Sequence, residues 1–139
     1  MKDTLQQGLT YEFTYTVPEN KTVPHLYPEA EEFQVMPNVF ATGFLVGLVE
    51  WTCIKALKEH LDWPNEQTVG ISADMKHMAA TPPGLTVTVK ATLETIDGKK
   101  LTFSFIADDG IDTITKGTHE RFVINHEKFT ANLESKIKK

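Results

Sequence analysis

At 139 residues, 40% apolar and 24% charged, the chain has the size of one globular domain spanning residues 1–139, and a two-core enzyme is not expected. Its 19 acidic against 14 basic residues, a formal charge of -5, argue against a surface that wraps a phosphate backbone, so no nucleic-acid partner is expected. One cysteine, Cys53, allows no intramolecular disulfide and too few thiolates for a structural zinc, which fits a reducing cytoplasm.

Met1–Thr10 carries no apolar core followed by a small-residue cleavage site, so no signal peptide is expected. Leu9 to Val17 then alternates apolar or aromatic with polar side chains, the period of a strand. Pro18 to Pro37 holds four prolines and the acidic run Glu29, Glu31, Glu32, and reads as a long irregular segment of the kind that often serves as a lid. Ala41 to Leu61 reads as one helix of about five turns. Its apolar residues run almost all round, so it is expected to be covered on most sides. Gly43 and Gly47, four apart, would admit a close backbone approach. The nearly apolar part, Phe44 to Leu57, is interrupted by Glu50, Thr52 and Lys55 and falls short of the ~20 residues of a membrane span. A buried helix, and no membrane partner, is expected.

After the turn-rich Asp62 to Glu66 the period changes to two. Ile71, Ala73, Met75 and His77 fall on one face of a strand, and Ser72, Asp74 and Lys76 on the other. Thr81-Pro82-Pro83-Gly84 turns the chain into the clearest strand, Leu85 to Leu93. Asp97-Gly98 signals a hairpin to Leu101–Ala107, and Asp108-Asp109-Gly110 leads to a last long strand from about Asp112 to Phe129. Lys136, Lys138 and Lys139 read as a solvated tail. The order is α+β, one antiparallel sheet around one buried helix, with an exposed edge that favours pairing with a second copy.

Glu50 is the most informative residue. Its helix neighbours Val46, Gly47, Cys53 and Ile54 cannot compensate a carboxylate, so it reaches solvent, is satisfied from another element, or is functional. His77 lies on the strand face that packs on the helix, as a satisfied core residue or as an imidazole that can meet Glu50 for acid-base work. Thr42 is an ordinary N-cap or a hydroxyl near the site. Arg121, the only arginine, either orients a carbonyl, an anion or the carboxylate, or forms a surface ion pair. His119-Glu120 and His126-Glu127 lack a second histidine four residues on, and no histidine pair has metal-ligand spacing on a helix. Cys53 reads as core.

His25-Leu26-Tyr27-Pro28-Glu29, Val39-Phe40-Ala41-Thr42-Gly43-Phe44 through Glu50-Trp51, Ala79 to Val89 around Thr81-Pro82-Pro83-Gly84, and Gly117-Thr118-His119-Glu120-Arg121 together resemble the fluoroacetyl-CoA thioesterase family of hotdog-fold proteins, over about Lys21 to Phe129. The resemblance implies a hotdog fold, a homodimer with active sites near the subunit interface, and hydrolysis of a short acyl-CoA thioester with neither metal nor organic cofactor. It implies catalytic roles for Thr42, Glu50 and His77, substrate contacts by Gly70 and Arg121, and a lid aromatic at Phe33. Met36 stands where the fluoroacetyl-specific member has a second lid phenylalanine. A flexible thioether fills space differently from a flat ring, so acetyl or another small acyl group is an equal candidate substrate.

In that reading Gly70 N–H and His77 stabilise the oxyanion, while Glu50 attacks directly or activates water, or Thr42 is the nucleophile. Two other functions stand beside it. A hotdog enoyl-CoA hydratase would carry an acid and a histidine a few residues apart in one loop-helix segment, a pair not seen near Ala41 to Glu50; a non-catalytic acyl-CoA binding module would bind without turnover.

Overall fold

The computed structural model describes residues 1–138. Five strands, β1 (Thr10–Thr16), β2 (Glu66–His77), β3 (Thr86–Asp97), β4 (Lys100–Asp108) and β5 (Thr113–Asn125), form one antiparallel sheet in the order β1-β3-β4-β5-β2. A short helix α1 (Glu31–Gln34), the long helix α2 (Thr42–Lys58) and a C-terminal helix α3 (His126–Ile137) complete the chain. This is the expected arrangement of a long helix wrapped by an antiparallel sheet.

Alternation decides which face each strand buries. Val87, Val89, Ala91 and Leu93 of β3 and Leu101, Phe103, Phe105 and Ala107 of β4 are all buried, with threonines and lysines between them turned outward. Helix α2 lays Leu45, Leu48, Val49, Cys53, Ala56 and Leu57 on that surface. The hydroxyl of Thr52, on the same buried side, donates to the Leu48 carbonyl at 2.8 Å and so adds no unpaired polar group.

Four expectations change. Helix α2 is covered by the sheet on one side, and Trp51, 45% exposed, lies on an open face with Gly47. A sheet of five strands reaches round one side of a helix. Trp51 is supported edge-on by Phe13, ring centroids 4.6 Å apart. The proline-rich segment is not wholly irregular, since it holds two 3-10 turns, Glu19–Lys21 and Val23–His25, besides α1. The last strand ends at Asn125, whose side-chain oxygen accepts from the Lys128 N–H and caps α3, so period two gives way to a helix before Phe129. Lys136 lies on that helix, and Lys139 lies outside the described residues.

The fourth change bears on the site. Ile71 does not share the inner face with Ala73, Met75 and His77, because β2 carries an irregularity between Gly70 and Ser72 and Ile71 is half-exposed. One extra residue shifts the alternation, so Thr68 and Gly70 share the inner face with Ala73, Met75 and His77. Beyond it, β2 and β5 come so close that a Cβ on Gly117 would collide with the Asp74 carbonyl. No helix among the described residues is long and apolar enough to cross a membrane.

Gly117→Ala must therefore push β2 off β5. The expected loss is about 1–3 kcal/mol in urea unfolding, and a midpoint equal to that of the parent chain would show that the two strands yield there freely.

Candidate active site

Helix α2 begins without a side-chain cap: Ala41 occupies the cap position and Thr42 is the first helical residue. The N-cap reading of Thr42 is therefore replaced. Its hydroxyl lies 2.8 Å from His77 Nδ1, a hydrogen bond that ties the start of α2 to the end of β2. His77 Nε2 is buried and has no hydrogen-bond partner within the described chain, and the same holds for the hydroxyl of Thr115, which faces His77 across the β2–β5 ladder. Thr42 and His77 line a cavity of about 290 Å³ with Phe40, Ala79 and Ala80. Burial pulls the His77 imidazole below its ordinary pKa, opposed by the backbone at Ala79.

Eight residues further along α2, about 12 Å at the helical rise, stands Glu50. Its Oε1 accepts from Arg121 Nη1 at 3.1 Å. The guanidinium is 3% exposed and the carboxylate 39%, so the cation is inside and the anion faces out. Arg121 also donates from Nε to the Thr68 hydroxyl at 2.8 Å and from Nη2 to the Thr68 carbonyl at 2.9 Å. The surface ion-pair reading of Arg121 is thereby replaced by a buried one. Burial pulls its pKa down, and Glu50 holds it up.

His119 completes this cluster. Its Nδ1 lies 2.7 Å from the Ser72 carbonyl, which can only accept, so Nδ1 carries the proton and Nε2 accepts from Arg121 Nη1 at 3.1 Å. The ring is thus held neutral, and burial lowers its pKa, countered by the Ser72 hydrogen bond. Gly70 sits opposite Arg121 in the β2–β5 register. A Cβ there would run into Glu50 Oε1 and come within 3.3 Å of Arg121 Nη1 and His119 Cε1, so only glycine leaves the carboxylate its place.

Of the sequence-predicted residues, Thr42 pairs with His77, and Glu50 with Gly70 and Arg121. Glu50 and His77, expected to meet, form no hydrogen bond within one chain. Phe33 and Met36 stand apart from both pairs. Phe33, on α1, stacks on Tyr27 with ring centroids 5.9 Å apart, and Met36 just beyond is 47% exposed. Gln34 Nε2 donates to the Pro24 carbonyl at 2.8 Å, tying α1 back into its own loop, while Leu26 of that loop packs on Gly43 at the start of α2. A larger cavity, about 770 Å³, opens on the opposite face of the sheet beside Lys76, Lys90 and Lys116 and is lined by none of the predicted residues. Among the described residues no three His, Cys, Asp or Glu side chains cluster in a way that could hold a metal ion. Cys53 is buried as expected, with its thiol pushed up to about 12 by desolvation.

The sequence reading missed Thr68, His119 and Thr115. His119 was legible: counting back by two from Arg121 puts it on the same strand face. Thr68 was not, because its approach to Arg121 depends on the register of β2 against β5.

Residues 17–127 match the fluoroacetyl-CoA-specific thioesterase family. The chain is 49% identical over 136 residues to a fluoroacetyl-CoA thioesterase of Streptantibioticus cattleyicolor, covering 98% of this chain and 97% of that one. It superposes with a TM-score of 0.92 on a mutant of the fluoroacetyl-CoA thioesterase FlK in complex with acetyl-CoA, at 48% identity over 95% of this chain and 98% of that one. A thioesterase superfamily member from Thermus thermophilus, 23% identical, shares the fold at a TM-score of 0.84 over 98% of this chain and 96% of its own.

Both site histidines titrate below 6.5, the ordinary value, in the folded state. Just below that pH the unfolded chain binds more protons than the folded one, so stability is full above it and falls as pH drops through the window. Carboxylates such as Asp109 have lowered values and lose their contribution only at more acid pH. Urea midpoints are expected to be lower at pH 5.5 than at pH 7.5; equal midpoints would mean that neither ring is held neutral by the fold.

Proposed function

The chain belongs to the fluoroacetyl-CoA-specific thioesterase family, and on that footing we propose that residues 1–139 form one hotdog thioesterase domain that hydrolyses a short acyl-CoA, fluoroacetyl-CoA or a similar small one such as acetyl-CoA, to the free acid and CoA. Thr42, Glu50 and His77 are its catalytic groups. The observation that carries this reading is the 2.8 Å contact of the Thr42 hydroxyl with His77 Nδ1, the separation of a nucleophile from its base. Thr42 Oγ1 attacks the thioester carbonyl as His77 takes its proton. The C–S bond breaks, and that proton passes to the sulfur of the departing CoA. Water then opens the acyl-Thr42 ester, its proton going to a base and the hydroxyl of Thr42 being restored as the acid leaves.

Glu50 is the base for that water, and its geometry suits this role better than direct attack. The buried guanidinium fixes the orientation of the carboxylate, and the open surface of Glu50 leaves room for a water beside it. Arg121 has donated four N–H groups inside the chain, so it acts on the substrate mainly through Glu50. Gly70 leaves bare backbone beside the carboxylate, where a thioester carbonyl can lie against its N–H. Phe33 and Met36, which stand apart from both pairs within one chain, are assigned to a lid by the family resemblance alone. CoA thioesters are intracellular metabolites, which supports a cytoplasmic location.

The working unit is a homodimer. The reaction needs Glu50 and His77 together, yet within one chain they belong to separate clusters. β2, which carries both Gly70 and His77, is an edge strand, free to pair along its outer side. A twofold antiparallel pairing of two β2 edges carries the His77 end of one strand toward the Gly70 half of the other, so each site takes Thr42 and His77 from one copy and Glu50 from its partner.

Release of free CoA thiol is expected from both acetyl-CoA and fluoroacetyl-CoA, since Met36 is a looser gate than an aromatic ring, and Met36→Phe is expected to shift the preference toward fluoroacetyl-CoA. Binding of the thioesters without thiol release would instead favour the acyl-CoA binding module. The composite site has its own test. Glu50→Gln and His77→Ala proteins are each expected to be nearly inactive, and re-equilibrated together they recover about a quarter of parental activity, because half the dimers then hold one intact site. A mixture no better than its parts would put the whole site within one chain.

A further inference from the structure

We infer that Thr115 is a positioning residue for His77: its hydroxyl, through one bridging water, accepts the Nε2 proton of the imidazole and so keeps the Nδ1 lone pair turned toward Thr42. The inference rests on the acyl-transfer reading above and adds a residue to it.

Thr115 is anomalous among the buried threonines. Thr22 donates to the Glu19 carbonyl, Thr52 to the Leu48 carbonyl and Thr81 to the Asp109 carboxylate, each at 2.8 Å. Where this chain buries a threonine for structure, it satisfies the hydroxyl. Thr115 is 0% exposed, and its Oγ1 has no partner within the described chain. A valine would fill the same volume without the desolvation penalty of an unpaired hydroxyl, so packing alone does not account for the residue.

Among the described residues the other unpartnered buried side-chain atom is His77 Nε2, and the two residues face each other directly, His77 on β2 and Thr115 on β5. One step along the ladder, Met78 N–H donates to the Ile114 carbonyl at 2.7 Å, so Met78 and Ile114 are a hydrogen-bonded pair. The alternation of an antiparallel ladder makes His77 and Thr115 the non-hydrogen-bonded pair, the type in which side chains stand closest, with Cβ atoms about 5 Å apart. They make no direct hydrogen bond, and one water, which needs two to four polar partners, closes a gap of that size.

The proton count selects the direction. For Thr42 to give its proton to Nδ1, that nitrogen must present a lone pair, so the proton of the neutral ring sits on Nε2 and needs an acceptor. Thr115 supplies it, as the third member that orients a base in a nucleophile–base–orienter set. His119 is locked the other way, with its proton on Nδ1 against the Ser72 carbonyl. The fold thus holds two neutral imidazoles in opposite tautomers.

Long-range ¹H–¹⁵N correlation spectra of the intact protein are expected to show His77 protonated on Nε2. In Thr115→Val that tautomer loses its dominance, and kcat on acetyl-CoA falls about tenfold or more with KM nearly unchanged, whereas Thr115→Ser restores both. A parent His77 protonated on Nδ1, or a Thr115→Val protein with parental kcat and His77 signals, would overturn the inference. Should the parent hydrolyse no thioester, the acyl-transfer reading fails by itself, and the tautomer spectra still decide the role of Thr115.

Discussion

Arg121 is a buried cation, and much of the local architecture follows from keeping it satisfied. An unpaired guanidinium in a protein interior is strongly destabilising, and the chain answers with acceptors from three directions: Thr68 on β2, His119 on its own strand and Glu50 on α2. This arrangement fixes the height of α2 over the sheet at one point. It also dictates the backbone of β2, since the Glu50 carboxylate occupies the volume a side chain at position 70 would need, and the irregularity beside Gly70 returns the following residues to the inner face with His77 at the end.

The two clusters meet different requirements. At the Thr42 end the helix begins without a side-chain cap, so its first hydroxyl is spent on an imidazole and not on its own backbone. Some N-terminal stability is given up for a contact between a hydroxyl and an imidazole. At the Glu50 end Oε1 is paired, and the guanidinium that holds it is itself held by Thr68 and His119. The Thr42 end keeps two buried polar atoms, His77 Nε2 and Thr115 Oγ1, without a partner among the described residues, whereas the Glu50 end is a connected network.

What was legible in the sequence follows the range of the interaction. The strands β3 and β4 and the long helix were readable because alternation and helical periodicity are local, and Glu50, His77 and Thr42 stood out as polar groups on apolar surfaces. Gly70, Phe33 and Met36 came from resemblance alone. Ile71 was misplaced because one added residue in β2 reverses every later alternation, and no local pattern reports it. The depth of Arg121 was equally invisible: a lone arginine in a polar strand looks superficial until α2 and β2 bring its acceptors. The end of β5 was overrun because Asn125 acts as a cap only where the chain leaves the ladder.

The Arg121–Glu50 ion pair is asymmetric in burial, and the asymmetry separates holding the carboxylate from enclosing it. A pair buried at both ends is locked, and one exposed at both ends is weak and screened. Here the guanidinium carries the desolvation cost at 3% exposure while the carboxylate keeps 39% of its surface open. Glu50 is oriented by a cation that is itself held by Thr68 and His119, while much of its own surface stays open. The fold therefore presents a carboxylate that is held on one side and open on the other, unlike an ion pair locked at both ends.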